Sequence, residues 1–245
     1  MTVKKILVVD DDDFMRETVA DVLMEKDYEV ALAESGEEAI KMYRERSFDV
    51  ILLDLKMQGI DGFQTYQEIK QIDPQAKAII MTAYFYEDII NDCLREGAFG
   101  VLYKPLDMDK VLEQIEIAHE KRIIMIVDDD EGLRLRLKEL FEEEGYHVLP
   151  AHSKEDALKQ VIHVPPDVVI ADVSGEVTEG KDVCTLIRQI VPSVDCIVTA
   201  RDKNKSEAIV TACVNNGAKT SMYKPFDLIQ FVSNVKRIIE ANTDE

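Results

Sequence analysis

Along the whole chain, short apolar runs alternate with amphipathic stretches. Runs near 5–9, 29–33, 49–54, 77–82 and 99–103 have the length of strands, and stretches near 14–26, 36–46, 62–72, 87–97 and 107–120 have that of helices. The strand runs are nearly continuous in apolar residues, as expected of strands covered on both faces. Five strand–helix units of this kind predict an α/β fold, a parallel sheet with helices on either side. Ser35 with Glu38, and Ser153 with Asp156, stand three apart at helix starts, where a side-chain oxygen can accept from a free backbone N–H. Gly97 and Gly217 follow the fourth helix of each half, a place that needs a left-handed residue.

The pattern occurs twice. KKILVVDDDD at the start returns as KRIIMIVDDD, FDVILLDL as PDVVIADV, AIIMTA as CIVTA, and EGAFGVLYKPLD as NGAKTSMYKPFD. Asp10 and Asp128, and Asp54 and Asp172, stand 118 apart; Thr82 and Thr199 are 117 apart, and Lys104 and Lys224 120. A near-constant offset over more than a hundred residues means two copies of one domain, each able to bury its own core. The division falls at 1–121 and 122–245. About three residues join the last helix of the first copy to the first strand of the second, too few for a loose tether, so a restricted relative orientation is expected.

Charge narrows the function. The chain has 245 residues, with 29 Lys plus Arg against 49 Asp plus Glu, and its formal net charge of −20 would repel a phosphate backbone or an anionic bilayer. Direct nucleic-acid and membrane partners are therefore not expected. No apolar run reaches the length of a membrane span, and the apolar run at the start is too short for a signal peptide. A cytoplasmic location is the expectation. Cys93, Cys184, Cys196 and Cys213 form no C-x-x-C pair and read as buried free thiols. The histidines at 119, 147, 152 and 163 lack metal-ligand spacing and read as surface residues.

Candidate chemistry lies where strands end. In an open parallel sheet, ligands bind beyond the carboxyl ends of the strands. Asp10 and Asp11 close the first strand, Asp54 the third and Thr82 the fourth, and Lys104 follows the fifth; Asp128, Asp129, Asp172, Thr199 and Lys224 repeat the set. Two unit charges 4 Å apart repel by about 4 kcal/mol at an effective dielectric of 20. Three converging carboxylates therefore need cationic compensation, from the lysine and from a hard divalent ion such as Mg²⁺. Such a site, with one carboxylate free to attack, suits phosphoryl uptake on aspartate.

Adjacent acids after the first strand, D-L-K-M-Q-G-I-D-G around Asp54, M-T-A after the fourth strand and Y-K-P after the fifth together resemble the receiver domain of two-component response regulators, over about 4–120 and 122–240. The resemblance implies two flavodoxin-like (βα)5 domains, each a doubly wound five-stranded parallel sheet of order 2-1-3-4-5. It implies Asp54 and Asp172 as phospho-acceptors. Mg²⁺ would be held by Asp10, Asp11, Asp54 and the Lys56 carbonyl, and by Asp128, Asp129, Asp172 and the Ser174 carbonyl. Thr82 with Lys104, and Thr199 with Lys224, would bind phosphoryl oxygens, and Pro105 and Pro225 would follow cis bonds. A histidine kinase or histidine phosphotransfer protein would be the donor, and an unidentified downstream protein the target; homodimerisation stays open. The protein would not be an enzyme beyond weak self-dephosphorylation.

Some positions depart from the family pattern. Val101 and Ser221 stand where an aromatic residue is usual, and Gln58 and Glu176 replace a proline four residues after the acceptor. The second copy also lacks the methionine found at 57. Only 241–245 follow the second repeat, so output through protein contacts is expected rather than through a DNA-binding domain. Two other classes remain. A phosphohydrolase resembling haloacid dehalogenases would need a D-x-D pair and a cap, where these acids are adjacent and no insertion of cap size occurs. The other is an interaction scaffold with unreactive sites.

Overall fold

The computed structural model describes residues 4–83, 87–119, 122–174 and 183–241. The chain divides into two compact units, Met1–His119 and Glu120–Glu245. The first runs β1 (Lys5–Val9), α1 (Asp13–Glu25), β2 (Glu29–Ala33), α2 (Gly36–Glu45), β3 (Val50–Asp54), α3 (Gly62–Ile72), β4 (Ala78–Thr82), α4 (Glu87–Arg95), β5 (Gly100–Tyr103) and α5 (Met108–His119). The second runs β6 (Ile123–Val127), α6 (Glu131–Glu143), β7 (His147–Ala151), α7 (Lys154–His163), β8 (Val168–Asp172), α8 (Val183–Ile190), β9 (Asp195–Ala200), α9 (Lys203–Asn215), β10 (Thr220–Tyr223) and α10 (Leu228–Ala241). Each unit holds one five-stranded sheet, ordered β2-β1-β3-β4-β5 and β7-β6-β8-β9-β10. Every pairing is parallel. Each unit is thus a doubly wound flavodoxin-like sheet of order 2-1-3-4-5.

Burial explains why the apolar runs become central strands. All five residues of β3, of β4 and of β6 are buried, whereas the edge strand β2 buries only Ala31 and Ala33. Alternate residues serve opposite faces. In the first unit Ile6, Val8, Leu52, Ile79 and Met81 pack with Val19 and Leu23 of α1 and Val111 and Ile115 of α5. In the second, Ile124, Ile126, Ile170 and Ile197 pack with Leu137 and Phe141 of α6 and Phe231 and Val235 of α10. Its other face sets Val169, Ala171, Val198 and Ala200 against Val161, Ile187 and Val210. Each large side chain so buried contributes about 1.5–3 kcal/mol. Pro150 sits in the edge strand β7, where its missing N–H interrupts no second ladder.

Helix ends are fixed locally. Ser35 accepts from the Glu38 N–H and Ser153 from the Asp156 N–H; Asp12 and Asp130 accept in the same way from Met15 and Leu133. Gly97 and Gly217 take φ of +89° and +97°, a region glycine enters without strain. Gly62 is needed for a different reason. A Cβ there would lie 2.2 Å from the Asp54 carbonyl oxygen and 2.9 Å from the Leu55 Cα. Bare backbone at its start therefore lets α3 press against the end of β3. The peptide bonds before Pro105 and Pro225 are cis. All four cysteines are buried and outside any disulfide among the described residues. Among the described residues no helix is long and apolar enough to cross a membrane.

Candidate functional site

The strand order places β1, β3, β4 and β5 side by side, so their carboxyl ends form one rim. At that rim Asp10, Asp11 and Asp54 bring carboxylate oxygens within 4.8 Å of one another. Lys104, just past β5, spans the gap: its Nζ lies 2.7 Å from Asp10 Oδ2 and 2.6 Å from Asp54 Oδ1. Asp10 and Asp54 are buried, Asp11 exposed. Backbone donors hold the remaining oxygens. The Lys56 N–H donates to Asp54 Oδ2 at 2.9 Å, the Gln58 N–H to Asp11 at 3.1 Å, and the Asp12 N–H to Asp10 Oδ1 at 3.0 Å.

Electrostatics follow from that geometry. Burial pushes the Asp54 carboxyl above its ordinary value, more than the Lys104 ammonium draws it down. Burial would lower Lys104, but its hydrogen bonds to Asp10 and Asp54 outweigh this and hold the ammonium above its usual value. Three carboxylates against one ammonium leave a formal charge of −2. Clustered hard oxygen donors with that residual charge suit a small divalent cation. The donor set thus fits Mg²⁺.

The second unit repeats the nest. Asp128, Asp129 and Asp172 offer oxygens within 4.8 Å of one another, and Lys224 Nζ lies 2.6 Å from Asp128 Oδ2 and 2.6 Å from Asp172 Oδ2. The Ser174 N–H donates to Asp172 Oδ1 at 2.8 Å, and the Ser174 hydroxyl bonds to the same oxygen. Arg201 adds what the first nest lacks in that place. Its guanidinium pairs with Asp129, and its Nε lies 3.6 Å from Asp172 Oδ2. The residue 118 positions earlier is Ala83.

Strand register corrects one equivalence read from the repeat. The Lys104 N–H donates to the Thr82 carbonyl and the Lys224 N–H to the Ala200 carbonyl; likewise Leu55 donates to Met81 and Val173 to Thr199. Ala200, not Thr199, therefore holds the place of Thr82. Thr199 is the register partner of Asp172, a place held by Met81 beside Asp54. The dipeptide Thr-Ala aligns by its letters, but the ladder keeps the 118-residue offset through β9, so the two extra residues before Lys224 fall after the strand. Thr82 and Thr199 are both buried.

Two further residues escaped the sequence reading. Arg16 of α1 donates from Nη1 to the Asp10 carbonyl at 2.5 Å, and Arg134 of α6 donates likewise to the Asp128 carbonyl at 2.5 Å. Each fixes the backbone of the buried first-strand acid from the first turn of the next helix. Their separation by the repeat offset of 118 was the available signal. Of the two positions where an aromatic residue is usual in the family, Val101 is fully buried core and Ser221 is half-buried in β10. Glu176 lies outside the described residues.

The fold and rim define a class: a doubly wound α/β protein with a lysine-bridged carboxylate nest at the strand ends, present twice. The family described as response regulator receiver domain matches residues 6–116 and 124–236. A response regulator receiver protein of Anaeromyxobacter sp. (strain Fw109-5) is 28% identical over 235 residues, covering 96% of this chain and 95% of that protein. The chemotaxis protein CheY of Bacillus subtilis (strain 168) is 40% identical over 112 residues, 45% of this chain and 93% of the relative. Among solved structures, the Thermotoga maritima response regulator TrrA in complex with Mg²⁺ and BeF is 34% identical, covers 47% of this chain and 99% of its own, and has a TM-score of 0.44. The chain belongs to the response regulator receiver family and carries two copies of its domain in tandem. Members of that family are signalling proteins of two-component systems and generally not enzymes.

Proposed function

We propose that the chain is a tandem-receiver response regulator that accepts phosphoryl groups on Asp54 and Asp172 from a histidine kinase or histidine phosphotransfer protein, within a phosphorelay. The observation that carries this reading is the pairing of a buried carboxylate with a lysine inside a nest of two further acids, built twice from three separate strands' ends.

In the first unit an Asp54 carboxylate oxygen attacks the donor phosphorus; an O–P bond forms as the P–N bond breaks, and the donor imidazole keeps the electron pair and takes up a proton. Asp10, Asp11, Asp54 and the Lys56 carbonyl would hold Mg²⁺, with Asp128, Asp129, Asp172 and the Ser174 carbonyl as the second set. When bound, the ion supplies charge stabilisation for the transferring oxygens. Lys104 supplies a fixed positive charge between Asp10 and Asp54, and it exchanges the Asp54 oxygen for a phosphoryl oxygen once the acyl phosphate forms. The Lys56 N–H orients the attacking carboxylate.

The readout is conformational. The Thr82 hydroxyl is drawn to the new phosphoryl group, and because its carbonyl accepts from the Lys104 N–H at 2.7 Å, the start of the β5–α5 turn moves with it. Shifting a two-state element from 1:99 to 99:1 takes about 5.5 kcal/mol of differential interaction, within reach of two or three charge-assisted hydrogen bonds. Val101 leaves no aromatic ring to rotate, so the switch rests on Thr82. In the second unit Thr199 offers its hydroxyl from beside Asp172, while Ala200 leaves the Thr82 lever without a counterpart. Signalling then proceeds through contacts with a downstream protein, and any loss of the acyl phosphate is slow self-hydrolysis.

Incubation with Mg²⁺ and acetyl phosphate tests this reading. Stoichiometric acyl phosphate, lost in part in Asp54→Asn and in Asp172→Asn and wholly in the double variant, is expected. Multiple turnover on phosphate esters would favour a phosphohydrolase, and no reaction at either site would favour a scaffold.

A further inference from the structure

The two nests differ in charge. Among the described ion pairs of the first rim, Asp10 and Asp54 are bridged by Lys104, which leaves Asp10, Asp11 and Asp54 with a formal −2. Asp128, Asp129 and Asp172 face Lys224 and also Arg201, which leaves −1. Arg201 is held for this task. It is the first residue after β9, its N–H donates to the Ser174 hydroxyl at 2.6 Å, and that hydroxyl bonds to Asp172. The guanidinium therefore reaches over the rim from a backbone anchored to the acceptor aspartate itself. Both Asp172 oxygens are engaged: Oδ1 by the Ser174 N–H and hydroxyl, Oδ2 by Lys224 and, at 3.6 Å, by Arg201. Asp129, the exposed acid of the nest, is paired with the guanidinium. Its counterpart Asp11 accepts from a neutral backbone N–H instead.

We propose that Arg201 is a built-in counter-ion that competes with a divalent cation for the second nest, so that the two receivers differ in metal demand and the first fills at lower Mg²⁺. The proposal rests on the reading that both nests take such an ion. A cation entering the second nest must displace the guanidinium from Asp129 or bind beside a like charge, whereas at the first the ion pairs among the described residues are those of the lysine bridge. The Arg201–Asp129 pair is half exposed, so the competition is moderate and screened by salt. An affinity difference of about tenfold is expected at low ionic strength, a ratio equivalent to about 1.4 kcal/mol. At limiting Mg²⁺ the first unit would then accept phosphoryl groups ahead of the second.

Titration of the full-length protein with Mn²⁺, following free Mn²⁺ by electron paramagnetic resonance, tests this without any phosphoryl chemistry. Two classes of site are expected, the tighter lost in Asp11→Asn and the weaker in Asp129→Asn. Arg201→Ala should tighten the weaker class about tenfold, Arg201→Lys should leave it weak, and raised salt should narrow the gap. Thermal unfolding of each variant checks that it folds. Equal affinities in the wild type, or no tightening in a folded Arg201→Ala, would overturn the proposal. So would weakening of the first class in Lys56→Ser matched by no change in Arg201→Ala, which would move the difference to the other rim residue. If neither nest binds Mn²⁺, the metal reading of both units falls and the proposal with it.

Discussion

Replacing Lys104 by methionine keeps the length of the side chain and removes its charge. In the wild type that ammonium lies 2.7 Å from Asp10 and 2.6 Å from Asp54, with the three side chains 17%, 1% and 7% exposed. Removing one partner of a buried ion pair costs about 3–5 kcal/mol, because the other charges stay buried and uncompensated. Two features put this case near 3 kcal/mol. Lys104 retains some solvent contact, and Asp54, already pushed up by burial, can escape by taking up a proton. The cost is therefore fully present at pH values above the raised Asp54 pKa and shrinks as pH falls through it. A divalent ion at a hundredfold its Kd returns about 2.7 kcal/mol, so Mg²⁺ should restore most of the loss. Because two units share the chain, a single unfolding free energy is ill defined; hydrogen exchange of β1 and β3 amides under mild denaturant reads the first unit, with β6 and β8 as internal control. Opening free energies in β1 and β3 within 0.5 kcal/mol of wild type, as for an ordinary surface substitution, would refute the reasoning. An equal fall in β6 and β8 would refute it too.

Two further substitutions probe the scaffold under the site. Gly62→Ala places a Cβ against the Asp54 carbonyl oxygen and Leu55 Cα; backbone must shift, the first unit should lose about 1–3 kcal/mol, and its metal affinity should drop while the second unit's is unchanged. The Tyr66 hydroxyl is buried without a hydrogen-bond partner among the described residues, and burial pushes its pKa up. Tyr66→Phe should therefore be neutral or stabilise the first unit by up to about 1 kcal/mol in urea unfolding followed by exchange of α3 amides; a loss larger than that would mean the hydroxyl is satisfied.

Much of the fold was legible because its signals are local or repeated. Buried parallel strands announce themselves as unbroken apolar runs, as in VILLD and AIIMT, and the double occurrence of the pattern set the offset that aligns Asp54 with Asp172. The nest itself was legible because strand ends in a parallel sheet converge wherever they fall in the sequence. What failed was whatever depends on register or on long side chains. Thr199 followed by alanine imitates Thr82 in letters, yet hydrogen bonding from Lys224 reaches Ala200; a one-residue difference is invisible to composition and reverses the face a side chain takes. Arg16 and Arg134 act on the carbonyl of an acid six residues earlier, a reach that helical periodicity does not predict. Arg201 was legible as a residue bordering the second site, but its pairing with Asp129 and its reach to Asp172 come from the structure.

The central claim is that Asp54 and Asp172, the acids that close β3 and β8 and pair with Lys104 and Lys224, are the ones that carry the phosphoryl group. Trapping the acyl phosphate by borohydride reduction after exposure to Mg²⁺ and acetyl phosphate, then sequencing peptides by mass spectrometry, tests it residue by residue. The account predicts homoserine at position 54, and at 172 once Mg²⁺ is raised. Homoserine at Asp10, Asp11, Asp128 or Asp129 instead, or at none of the six aspartates, would contradict it.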